Sequence, residues 1–188
     1  MSLAPTDYDF GVSANYAFAE KITCSNDEAR RMYVEAFGHM LNYNHEQAIA
    51  CFTKCTELDP NCAMAWWGIA YCLSSSYNWS AGLGPGYDAI SQAVSLKDHC
   101  SELEQDLIMA LSKRHTKEAR DNANPAALNM GNSPELNQAF ADAMAPLYEK
   151  YSEDLDVIAV YVEALMNLNP WTLWNKDAST GEITPVDD

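Results

Sequence analysis

The stretch from Ala48 to Ala70 constrains this chain more than any other. Ala48 and Phe52 are four residues apart, Cys55 follows three later, and Pro60 five after that. Trp66 comes six after the proline, with Ile69 and Ala70 three and four beyond it. Small residues at 48 and 55 let two antiparallel helices approach closely, and Phe52 fills the gap between them. Pro60 has no N–H to donate, so it ends one helix and sets the turn into the next. The pattern predicts helical hairpins stacked side by side, which usually build a surface for a partner and seldom carry out chemistry.

The remainder of the chain reads in the same way. No segment shows the alternation expected of strands, so the fold class is all-α, with about seven helices and no sheet. Residues 1–24 are an extended lead-in. Ser25 is the expected N-cap of a first helix over residues 27–42, with Glu28 as its capping-box partner. The others are expected near 45–58, 61–76, 87–97, 101–115, 134–151 and 154–168. Asn42-Tyr43-Asn44 forms a turn, Ser101 with Glu104 a second capping box, and Ser133-Pro134 a helix start. Pro146 should bend or loosen its helix. Gly82, Gly84, Pro85 and Gly86 mark one loop, and residues 121–132 another. The helical array spans residues 25–168 and ends at Asn169-Pro170. A polar tail over 169–188 follows.

The spacing around Phe52 and Pro60 resembles the end of one tetratricopeptide repeat (TPR) and the start of the next. The match is best over residues 30–73 and returns more faintly over 139–168, at Ala143, Leu147, Tyr161, Ala164 and Leu165. The segments Asp59-Pro60-Asn61-Cys62-Ala63-Met64-Ala65-Trp66-Trp67-Gly68 and Asn169-Pro170-Trp171-Thr172-Leu173-Trp174 resemble stretches in larger bacterial TPR proteins of unassigned function. Gly38 departs from the usual glycine position of the repeat. The resemblance implies further repeats after this point, so the chain is expected to be the N-terminal part of a longer protein. It also implies a groove lined by the inner helices. The inner-face positions are Met64, Trp67 and Tyr71, and one repeat earlier Arg30, Tyr33 and Phe37. On this reading Trp67 is a partner-facing anchor and Trp66 a packing residue, because adjacent helical residues point about 100° apart.

Charge narrows the partner. The net charge is -16, from 27 acids against 11 Lys and Arg. Such a chain repels phosphates, which disfavours nucleic acid and anionic membrane surfaces. The expected partner is a protein or peptide of apolar or basic character, with homo-oligomerisation through the last helix as a further expectation. Lys113, Arg114, Lys117 and Arg120 form a basic cluster suited to a helix C-terminus. His99 and His115 read as surface residues.

The function expected is therefore a protein–protein interaction module, and not an enzyme. The alternatives are a small-molecule or catalytic pocket near Trp67, Tyr71 and Trp79, and a structural oligomerisation module. Cys51 and Cys55, four apart on one helix, could hold a metal with His39 and His45. However, Cys55 occupies a packing position and no CxxC pair is present, so no metal and no other cofactor is expected. The six cysteines read as small buried hydrophobes of a reducing compartment. The N-terminus shows no cationic and apolar signal segment, so the expected location is cytoplasmic unless an export signal has been removed.

Overall fold

In the computed structural model, residues 21–74, 76–77, 85–122 and 133–186 are described. They form eight α-helices: α1 Asp27–Leu41, α2 His45–Leu58, α3 Ala63–Cys72, α4 Pro85–Leu96, α5 Glu102–Ser112, α6 Lys117–Asp121, α7 Pro134–Lys150 and α8 Leu155–Met166. A 3₁₀ turn, Lys97–His99, links α4 to α5. The chain is mostly helical, as the periodicity predicts. The expectations for the lead-in over residues 1–20, for Trp79 and for most of both loops lie outside the described residues.

Consecutive helices pack on one another. α1 packs on α2, α2 on α3, α3 on α4, α4 on α5, and α7 on α8; α5 also meets α7. Contacts between α1 and α3, and between α3 and α5, add a second layer of neighbours. Ala48, Phe52 and Cys55 are fully buried, as their spacing requires. The Phe52 ring lies 5.4 Å from that of Tyr33. On its other side it fills the space that a side chain at Gly68 would need, since a Cβ there would stand 2.4 Å from Phe52 Cζ. Ala89 and Ala93 are buried as small contact residues of α4.

Three details differ from the sequence expectations. The N-cap of α1 is Asn26, whose side chain accepts from the Glu28 and Ala29 amides. Ser25 instead donates its amide and hydroxyl to the Asp59 carboxylate, at 2.7 and 2.8 Å. An extra short helix, α6, forms behind a Thr116 cap. α7 runs through Pro146 to Lys150, as its expected span requires. Finally, the tail contains a two-stranded antiparallel sheet, β1 Trp174–Lys176 with β2 Ile183–Pro185, in the register Asn175 opposite Thr184. Three-residue strands are too short to show alternation. The turn is held by the Asp177 carboxylate, which accepts from the Ser179 and Thr180 amides, and by Gly181 at a φ of 73°.

The segment before α1 is strapped down at several points. Thr23 donates its amide and hydroxyl to the buried Glu104 carboxylate, at 2.7 and 2.6 Å. The same carboxylate closes the Ser101 capping box on α5. Lys21 pairs with Asp154, the N-cap of α8, at 2.6 Å. Among the described residues, no helix is long and apolar enough to cross a membrane.

Candidate functional site

The six residues expected to line a groove are placed otherwise. Tyr33, Phe37, Met64, Trp67 and Tyr71 are all buried, Trp67 to 1% exposure. The Trp67 indole stacks on the Tyr71 ring at 5.0 Å and donates to the Leu107 carbonyl oxygen at 3.1 Å. Nine of the ten residues of α3 are buried, and the exception is Trp66. Trp67 is thus a core residue and not a partner-facing anchor, while Trp66 packs half-buried at the edge of the core. The reason is the surroundings of α3. Helices α1, α2, α4 and α5 all touch it, and a helix enclosed on every side is apolar all round. Arg30 is half-buried, and its guanidinium donates to the carbonyl oxygens of Ile22 and Cys24, at 2.9 and 2.8 Å. It holds the strap.

The basic cluster also disperses. Lys117 and Arg120 pair with Asp121, and Arg120 reaches Asp88 at 3.0 Å. Arg114 is buried. Its Nε donates to Asn137 Oδ1 at 2.9 Å, and its guanidinium lies over the Phe140 ring. Burial lowers its pKa, and the Tyr71 hydroxyl and Glu163 carboxylate oppose that fall. Tyr71 donates to Glu163, tying α3 to α8. Asn137 donates to the Asn167 carbonyl oxygen at 3.1 Å. These groups form a polar junction inside the stack, and buried hydrogen bonds of this kind fix helix positions.

His115 belongs to the same region and is not a surface residue. Its Nε2 lies 2.8 Å from the Ser74 hydroxyl, and its ring abuts Gly86 so closely that a Cβ there would stand 2.2 Å away. Burial, reinforced by the Arg114 charge, lowers its pKa to about 4. His99 is exposed, as expected.

Of the four metal ligands weighed from sequence, His39 and Cys51 come together, whereas His45 and Cys55 lie elsewhere. His45 Nδ1 lies 3.1 Å from the Cys72 carbonyl oxygen, and Cys55 is fully buried in the core of the hairpin. Glu35 and His39, one turn apart on α1, meet Cys51 of α2, and one ligand atom of each lies within 4.8 Å of the others. Burial pushes the Cys51 thiol up to about 11, with the Glu35 charge adding to it, and lowers the His39 pKa, which favours the neutral imidazole. All six cysteines are free thiols.

Exposed apolar surface gathers at the C-terminal end. α8 carries ten apolar residues in twelve positions. Val157, Val160 and Ala164 face inward and are buried. A second stripe at helical spacing, Leu155, Ile158, Val162 and Leu165, lies on another face. Leu155 is 76% exposed and Val162 47%. Trp171, Trp174 and Ile183 are exposed as well. Trp171 adopts a left-handed φ of 65° and stacks on Tyr77 at 5.2 Å. For so bulky a residue that conformation is unusual and costly. The Leu155–Val162 spacing was readable in the sequence, because α8 is too apolar for a helix with one covered face. The exposure of Trp171 had no such signal.

No family model, curated protein or solved structure matches this chain.

Proposed function

We propose that the chain is a TPR-like array of helical hairpins that acts by protein–protein contact, and that its contact surface is the outer face of α8. The observation that carries this reading is the second apolar stripe on α8, where Leu155 and Val162 stand exposed between the half-buried Ile158 and Leu165 while the first stripe packs on α7. A contiguous apolar strip on a soluble array is a docking surface more often than a defect. The stacking of alternate helices, α1 on α3, α3 on α5 and α5 on α7, supports the repeat assignment.

The chemistry of the occupant follows from charge. Residues 151–186 carry six acids, Glu153, Asp154, Asp156, Glu163, Asp177 and Glu182, against one cation, Lys176. A second copy of the chain would bring like charges together around the strip. An amphipathic helix with an apolar face and basic flanks satisfies both, in the helix-in-groove mode. The inner-face docking expected from the repeat pattern loses its support, because those aromatics are core.

The test uses a synthetic amphipathic helix of Leu and Lys at heptad spacing, and a matched peptide with Glu for Lys. The Lys peptide should bind, and the Leu155→Ser, Val162→Ser double variant should weaken binding at least tenfold. Met109→Ser, at an exposed apolar residue of α5, should leave binding unchanged. Equal affinity for the double variant overturns the reading. So does self-association that the double variant abolishes while the peptide fails to compete.

A further inference from the structure

We infer that Glu35, His39 and Cys51 form a binding site for a divalent transition metal, zinc by its ligand chemistry, which staples α1 to α2. The set consists of a carboxylate, an imidazole and a thiol, the three donor types that zinc takes from proteins. Their ligand atoms all lie within 4.8 Å of one another. Zinc–ligand bonds of about 2.0–2.3 Å place tetrahedral ligand atoms roughly 3.4–3.7 Å apart. The three groups therefore need to close by about 1 Å, which small side-chain rotations supply. They reach this point from two helices, so the site is made by the hairpin and not by a short run of sequence.

The hairpin register explains why these residues meet. The turn is centred on Tyr43, where the Asn44 amide bonds back to the His39 carbonyl oxygen at 2.9 Å. Positions equidistant from Tyr43 face one another across the pair. Glu35 and Cys51 are each eight residues away, and His39 and Gln47 are each four away. Gln47 thus sits one turn before Cys51, level with His39. Its side-chain oxygen is buried without a hydrogen-bond partner. An amide oxygen so placed is a candidate fourth ligand, and a water is the alternative for that position. Charge also balances. One carboxylate and one thiolate neutralise a dication, which is what a site this deep requires, with His39 and Cys51 both buried. On binding, the Cys51 thiol gives up its proton to solvent and the sulfur bonds the metal; no redox step is involved.

Cobalt(II) is the probe, since a thiolate ligand gives a charge-transfer band and tetrahedral geometry gives intense visible bands. Chelator-treated full chain, titrated with Co²⁺, should bind one equivalent with both signatures, and Zn²⁺ should displace it. Cys51→Ser should remove the charge-transfer band. Glu35→Gln, at a half-buried position, should keep the band and lose at least tenfold in affinity. Cys100→Ser, a thiol outside the cluster, should change nothing. Circular dichroism of each variant reports folding, and Glu35→Gln decides the matter if Cys51→Ser does not fold. Failure to bind one equivalent, octahedral spectra without a thiolate band, or a band that survives Cys51→Ser each overturns the assignment. So does an affinity unmoved by Glu35→Gln.

Discussion

The Trp67 indole N–H donates to the Leu107 carbonyl oxygen, joining α3 to α5 inside the stack. Its neighbour Trp66 is half-buried at the surface, with a long contact of 3.4 Å from its indole to the Pro60 carbonyl oxygen. Trp67→Ala should therefore cost about 3–5 kcal/mol, as large-to-small core changes do. Trp66→Ala should cost less than about 2 kcal/mol, because only part of its surface leaves water. Urea unfolding of the two variants decides. A larger loss for Trp66→Ala would restore the opposite assignment.

Phe52 and Gly68 share one space, and their substitutions should be coupled. Phe52→Ala should destabilise by about 3–5 kcal/mol. Gly68→Ala should cost roughly 2 kcal/mol or more, because the new methyl group meets the Phe52 ring at 2.4 Å. In the double variant the methyl enters the space the ring has left, so the combined loss should fall short of the sum by at least about 1 kcal/mol. Strict additivity would show that the two residues do not touch.

His115 should set part of the acid limb of stability. Its folded pKa of about 4 lies below the unfolded imidazole value of about 6.5. The unfolded chain therefore takes up the proton first as pH falls. The contribution is complete above about pH 6.5 and drains away towards pH 4. At ~1.4 kcal/mol per unit the loss is about 2–3 kcal/mol. Buried His39, its pKa also lowered, adds a slope in the same direction, so a His115→Gln comparison isolates the effect. Stability measured from pH 7 to 4.5 should fall less steeply in that variant. Parallel curves would show that His115 is solvated.

Glu104 holds the strap to α5, and its charge matters to four donors: the amide and hydroxyl of Thr23 and of Ser101. Glu104→Gln replaces one acceptor oxygen with an NH₂ group facing donors. The expected cost is about 2–3 kcal/mol, in the range for buried hydrogen bonds to a charged group. The Thr23 amide should also lose hydrogen-exchange protection while the interior of α2 keeps it. Unchanged protection at Thr23 would mean that the strap is held elsewhere.

Much of the fold was legible because it rests on local chemistry. Ala48, Phe52, Cys55 and Pro60 fix a helical hairpin through spacing alone, and Ser101 with Glu104 announces a helix start. The site was less legible for two reasons. First, a stripe such as Met64-Trp67-Tyr71 looks the same whether it faces a groove or a fourth and fifth helix, and only the packing of α4 and α5 distinguishes them. Second, Glu35, His39 and Cys51 meet through the register of the α1–α2 turn. Pairing by sequence distance favoured Cys51 with Cys55, whereas the turn pairs Cys51 with Glu35. The hairpin of β1 and β2 was hidden by its length, and Ser25 by a competing acceptor, Asp59, that lies 34 residues away.

The strap before α1 changes how the array should come apart. A stack in which each helix touches only near neighbours can fray from an end, repeat by repeat, with no single melting transition. Here Ser25 is bonded to Asp59, Thr23 to Glu104, and Lys21 to Asp154. Those links close loops of 34, 81 and 133 residues. Loosening either end therefore releases contacts across most of the chain. The described helices should therefore melt more cooperatively than their order alone implies, because residues 21–25 tie the start of α1 to α5 and α8.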